Sequence, residues 1–137
     1  MRHKFLTCGL LGWCLEIFWT GLHTLSGKDF RLVGHSSLWM FPIYGMASFI
    51  APLSRKLQSL HWPFPLRGMV YTAGIFVTEY STGFLLKKYN LCPWDYTGCH
   101  SNINGLIRLD YAPVWFLAGL FYEKILSPKG LAFHGEK

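Results

Sequence analysis

The sequence predicts an all-α polytopic membrane protein, a bundle of four transmembrane helices forming a single domain over residues 1–137. Three observations carry this reading. Hydrophobic residues make up 51% of the chain and charged residues only 15%, against about 25% charged in soluble domains. Four apolar segments, 5–25, 37–53, 68–86 and 107–126, approach the length that crosses about 30 Å of hydrocarbon. The cationic residues stand at the ends of these segments, as in Arg2 and Lys4, Arg55 and Lys56, Lys87 and Lys88, and Lys124 and Lys129. Cations flank membrane spans in this way where they meet anionic headgroups. The net charge of +6 is therefore spread along the chain and not gathered into a nucleic-acid-binding patch, so no nucleic acid partner is expected. A mean hydropathy of +0.24 is mild because Glu, Thr, Ser, Gly and Tyr interrupt the apolar runs.

Backbone groups in lipid must be bonded internally, so each segment is assigned to a helix. The first opens like a signal peptide, with basic residues before an apolar run. No small-x-small cleavage site follows, and the run continues through Glu16 to Leu25, which indicates an uncleaved span. The second segment is short and carries Pro42 and Pro52, so it is bent or partly re-entrant. The third holds Glu79 at its centre, and the longest loop, 87–106, separates it from the fourth. The tail, 127–137, is polar and expected to be mobile. With four spans, the side shared by both termini carries eight Lys and Arg residues and the opposite side five. That bias puts both termini in the cytoplasm.

Helix spacing concentrates small and polar residues on single faces. Gly9, Gly12, Glu16, Thr20 and His23 share one face of the first segment. Gly68, Thr72, Ile75, Glu79 and Gly83 nearly share one face of the third, and Ala112, Gly119 and Glu123 one face of the fourth. Such faces let helices approach closely and point away from lipid. Glu16 and Glu79 each lie eleven residues into their segments, about 16 Å at 1.5 Å per residue. Glu123, beside Lys124, reads as interfacial. A charged acid at a helix centre costs about 3 kcal/mol on insertion scales. The intramembrane acids are therefore protonated or paired, with Arg67, Arg108 and His23 as available partners. Three roles stay open for them: locking helices together, moving a proton, cation or polar substrate, or catalysis. The echo of EIFWTG (16–21) in EYSTG (79–83) suggests two parallel two-helix repeats meeting at a shared centre.

The loops add little chemistry. Cys8 and Cys14 read as packing residues. Cys92 and Cys99 share a loop and could bridge in an oxidising space. A metal site from Cys92, Cys99 and His100 lacks a spaced ligand set, and no metal is expected. Trp94, Asp95 and Tyr96 combine interfacial aromatics with a turn-forming acid, which serves either as a plug closing the bundle or as a substrate gate. Asp95 and Arg108 stand toward opposite ends of this loop and could meet.

The ordered motifs GWCLE, FPIYG (41–45), EYSTG, PWDY and NINGLIRL (102–109) resemble the putative ABC-transporter type IV, or CmpB-like, membrane family. CPWDY with EYSTGFLLKKYN is similar to the transmembrane protein 229 relatives within that likeness. The resemblance runs from Gly12 to about Glu123. It falls on Glu16, Pro42, Tyr44, Gly45, Glu79, Thr82, Gly83, Trp94, Asp95, Tyr96, Asn104, Gly105 and Arg108. Pro93 stands where many relatives have a second Trp, and Lys87 and Lys88 where relatives often have a further acid. The resemblance implies a multi-pass membrane protein. No Walker or other nucleotide-binding motif is present, so the chain carries no ATPase of its own, and no cofactor is expected.

The expected function is that of a small transporter-like or transport-associated membrane component. Glu16 and Glu79 form its polar centre, supported by Thr20, His23, Tyr44, Thr82, Gly83 and Arg108. Trp94, Asp95, Tyr96 and Asn104 form the loop motif. The alternative is a structural scaffold whose acids only pack helices. A third option is an intramembrane enzyme, for which no nucleophile–base set is visible. The lipid bilayer is the expected partner, and a homodimer or another membrane subunit would complete a path too wide for four helices to enclose.

Overall fold

The computed structural model describes residues 1–127; the tail beyond, expected to be mobile, lies outside them. The chain is mostly helical. Its elements are α1 (Arg2–His23), α2 (Met40–Gly45), α3 (Ile50–Ser59), α4 (Phe64–Lys88), β1 (Asn102–Ile103), β2 (Ile107–Arg108) and α5 (Ala112–Leu126). Four of the helices have ten residues or more. The chain divides into two compact units, 1–48 and 49–137.

In the first unit α1 ends in a 3₁₀ turn at Thr24–Gly27 and the chain returns along it. Gly34 lies against the Ile17 carbonyl so closely that no Cβ would fit. The Trp13 indole donates to Ser37 O at 3.0 Å. Phe41 of α2 then covers Gly9, Tyr44 covers Gly12, and Phe5 covers Gly45. The small-residue face of α1 is thus its packing face, as its spacing predicts.

The second segment is helical in pieces, with a 3₁₀ stretch at Met46–Phe49 between α2 and α3 in the chain. Pro42 and Pro52 each fall in the first turn of their helix, where the backbone N–H has no intrahelical acceptor to lose.

In the second unit α5 runs back along α4. Glu79 neighbours Trp115 toward one end, and Arg67 pairs with Glu123 toward the other. Phe116 seats on Gly68 and Tyr71 on Gly119. Both helices start with proline in the first two positions, Pro65 and Pro113, where its fixed φ suits helix entry.

The fourth segment, expected as helix over 107–126, is helical only from Ala112. Ile107 instead pairs with Ile103 in an antiparallel hairpin. Asn104 and Gly105 both adopt positive φ, and Leu106 N–H bonds to Ile103 O at 3.0 Å, which is a type I′ turn. A 3₁₀ turn at Leu109–Tyr111 completes the approach to α5. The fifteen residues of α5 span about 22 Å, less than a hydrocarbon core. Among the described residues one helical stretch, Arg2–Gly27, is long and apolar enough to cross a membrane by length and composition. With 25 residues, α4 matches it in length but not in apolarity.

Three helical segments stop in the same way. Lys28, His61 and Asn90 hold φ near +58°. In each case two backbone bonds close the turn, such as Trp62 N–H to Leu57 O at 3.1 Å and Leu91 N–H to Leu86 O at 2.8 Å. This is the Schellman arrangement, in which glycine is favoured because it has no Cβ to clash. Lys28→Gly and His61→Gly should each stabilise the fold by about 1 kcal/mol, the cost of left-handed backbone for an L-residue. Asn90→Gly should gain less, because asparagine tolerates this region. Denaturation in detergent followed by circular dichroism checks the order, and a loss of stability in both His61→Gly and Lys28→Gly would contradict it.

Candidate functional site

The loop after α4 folds into a cap docked on the last three turns of that helix. Trp94 lies over Gly83, where an added Cβ would stand 2.8 Å from its ring, and its indole donates to Leu106 O at 2.9 Å. Tyr96 N–H donates to Gly105 O at 2.9 Å. Asp95 Oδ1 accepts the Thr97 N–H at 3.0 Å, an Asx turn. That bond holds the Asp95 carboxyl below its usual range. Asn104 Nδ2 donates to Tyr80 OH at 2.9 Å, and Lys87 Nζ to Asn104 O at 3.2 Å. Residues of three separate motifs, EYSTG, PWDY and NINGLIRL, therefore form one assembly.

Glu79 lies beneath this cap. Tyr96 OH donates to its Oε1 at 3.2 Å. Burial raises the Tyr96 hydroxyl, and the neighbouring carboxylate adds to the effect, so the tyrosine remains a proton-bearing donor. The other oxygen, Oε2, is buried without a hydrogen-bond partner. The Trp115 indole neighbours the same carboxyl, yet its Nε1–H is also buried outside hydrogen-bond geometry. Behind these groups, Tyr111 packs edge-on against both Tyr96 and Trp115, with ring centroids 6.1 and 6.0 Å away. The Arg108 guanidinium lies 4.3 Å over the Tyr111 ring. Thr82 Oγ1 turns back to the Thr78 carbonyl at 2.7 Å, so its hydroxyl serves its own helix.

A second acid centre lies at the other end of α4 and α5. Glu123, read as interfacial from the sequence, is only 9% exposed. Arg67 reaches both of its oxygens, at 3.1 and 2.8 Å. Gln58 Nε2 donates to Oε1 at 3.2 Å, and the Tyr71 hydroxyl donates to Oε2. The reason for the departure is the facing helix, which supplies a forked cation matched to a carboxylate.

In the first unit Glu16 accepts the Ser36 hydroxyl at 2.7 Å. Thr20 Oγ1 accepts the His35 N–H at 2.9 Å and donates to its carbonyl at 3.1 Å. His23 is exposed near the end of α1. Tyr44 is half-buried over Gly12. Glu16 and Glu79 belong to different units, and each finds its hydroxyl partner inside its own.

Several pairings differ from expectation. Arg67 serves Glu123, not the two acids for which it was considered. Arg108 is held by Asp110, with Nε to Oδ1 at 3.1 Å, because a partner two residues away is reached more readily than Asp95. Cys92 and Cys99 are free thiols, and Cys92 Sγ donates to Trp94 O at 3.2 Å. Among the described residues no group of three or more His, Cys, Asp or Glu could hold a metal ion. Gln58, Tyr71, Tyr111 and Trp115 were not singled out from the sequence. The spacing of Tyr111, Trp115, Gly119 and Glu123 by four residues each marks one face of α5 and could have revealed two of them.

Two outcomes follow from this geometry. Arg67→Met leaves the buried Glu123 carboxylate without its cation and should cost about 3 kcal/mol in denaturation experiments; a cost below about 0.5 kcal/mol, typical of surface pairs, would place the pair in solvent. Gly83→Val should unseat Trp94 and loosen the cap. Limited trypsin digestion should then cut after Lys87 and Lys88 faster than in wild type, and unchanged cutting would remove Trp94 from that position.

No solved structure matches the chain. The family model described as Putative ABC-transporter type IV matches residues 3–135. That match takes in both units and all the motifs gathered around Glu79, and the chain belongs to this family.

Proposed function

We propose that the chain is a small multi-pass membrane component acting in transport, with Glu79 as its exchangeable carboxyl. The family's name points to transport. The supporting observation within the molecule is the division of labour at Glu79. Tyr96 holds Oε1, while Oε2 is buried and unpartnered. A carboxyl fixed by one oxygen can take a proton or a cation on the other without losing its position. Glu16, which accepts the Ser36 hydroxyl, is the second polar position of this reading together with Thr20, His23 and Tyr44, and Thr82, Gly83 and Arg108 support the first.

The outer surfaces favour membrane placement. Leu10, Phe18 and Trp19 on α1, Val77 and Phe84 on α4, and Leu117 on α5 are exposed, while the carboxylates turn inward. Such apolar exteriors with polar interiors suit a lipid surround. In this reading the four helical segments cross the bilayer with both termini cytoplasmic, and a second copy or another membrane subunit completes the path.

A scaffold role is the second reading. Glu16 and Glu123 favour it, since each has hydrogen-bond donors within its own unit. Glu79→Gln separates the two, because it keeps shape and hydrogen bonding but cannot titrate. In liposomes carrying an internal pH dye, wild type should exchange protons for cations supplied outside. The Gln variant should lose this exchange at least tenfold with its helical content intact. Equal exchange in both proteins would remove Glu79 as the exchangeable carboxyl, and no exchange by wild type with any cation would end the transport reading in favour of the scaffold. Tags at both termini should be protected in intact cells while Cys99 accepts an impermeant thiol reagent; exposed tags would reverse the orientation.

A further inference from the structure

A groove of about 240 Å³ opens at the C-terminal end of α4, lined by Lys87, Asn90, Cys92, Trp94, Asp95 and Gly105. We infer that it binds a zwitterionic head group of the phosphoethanolamine class, with Lys87 on the phosphate and Asp95 on the ammonium. The inference rests on membrane placement of α4 and not on transport.

The groove presents one charge of each sign. Lys87 is anchored by a single bond to Asn104 O, which leaves two of its three N–H donors for a ligand. Asp95 spends Oδ1 on the Thr97 N–H, which leaves Oδ2 as an acceptor. The Thr97 bonds, and to a lesser degree the nearby Lys87, hold that carboxyl below its usual range. Trp94 is held by its indole bond to Leu106 O and supplies a fixed aromatic wall, a favourable surface for an ammonium group. The Cys92 thiol is engaged with Trp94 O. A simple anion would meet the Asp95 carboxylate, and a simple cation the Lys87 ammonium. A ligand carrying both charges satisfies both walls.

The surroundings favour a membrane lipid as the source. Lys88, Tyr89 and Leu91 are exposed beside the groove. A cation, a phenol and an aliphatic side chain together suit the depth where headgroups lie. Free phosphoethanolamine shares the recognised chemistry, and the experiment distinguishes it.

The test uses the full chain in nanodiscs of equimolar phosphatidylethanolamine and phosphatidylglycerol, with retained lipid counted by native mass spectrometry. Wild type should retain phosphatidylethanolamine at least fivefold over phosphatidylglycerol. Lys87→Met should lower that retention about tenfold. Asp95→Asn, which can keep the Asx turn, should erase the preference. Lys88→Met should change nothing, because Lys88 does not line the groove. Soluble phosphoethanolamine is then titrated against maleimide labelling of Cys92 in a Cys14→Ser/Cys99→Ser background. Protection without any lipid preference assigns the groove to a free solute of the same chemistry. Absence of both protection and preference overturns the inference, as does a preference unchanged in both Lys87→Met and Asp95→Asn. Neither readout measures flux, so failure of the transport reading leaves it standing.

Discussion

Phe41 on Gly9, Tyr44 on Gly12, Phe116 on Gly68, Trp94 on Gly83 and Tyr71 on Gly119 are one interaction repeated through both units. An aromatic ring needs a flat place to lie, and a helix offers one only where a Cβ is missing. Close dispersion contact between ring and backbone holds these helices together. A ring contributes more of that contact than any aliphatic side chain. These pairs set how near α2 comes to α1, how near α5 comes to α4, and where the cap rests. The polar contacts then fall at distances already fixed by the rings.

The three helix-borne acids show what that fixed spacing allows. Glu16 meets a serine hydroxyl from the returning loop. Glu123 meets a guanidinium, an amide and a phenol. Glu79 meets one phenol and keeps an oxygen in reserve. A buried oxygen without a partner is costly, and two orphaned atoms side by side, Glu79 Oε2 and Trp115 Nε1, mark the one place among these three where the cost has not been relieved.

The helices and their packing faces were largely legible. Periodicity placed α1 and α4, and the glycine spacing on both identified the faces that carry rings. The hairpin was legible in principle, since Asn104-Gly105 between isoleucines is a strong turn signal. It was missed because Ile107 and Leu109 run on into the apolar residues of α5 and lengthen the apparent helix. The Glu123 centre was not legible. Its partners Arg67 and Gln58 lie 56 and 65 residues away in the chain, and Lys124 beside it imitates the end of a span. Four-span placement rests on apolar length, and among the described residues α1 with its 3₁₀ extension is the segment that meets it outright.

The cap also bears on how the chain is put together as it leaves the ribosome. Its bonds to α4 join residues only 17 to 24 apart, as in Tyr96 with Glu79 and Asn104 with Tyr80. Contacts this local form early, because little chain entropy is lost in closing them. Everything the cap needs, except the ring of Trp115, has been synthesised before α5 begins. The last helix therefore arrives at a surface already shaped, with its starting point set by the hairpin and its direction set by Tyr71 and Gly68. Nascent-chain order and spatial order coincide here, so this half of the molecule can close without waiting for its C-terminus.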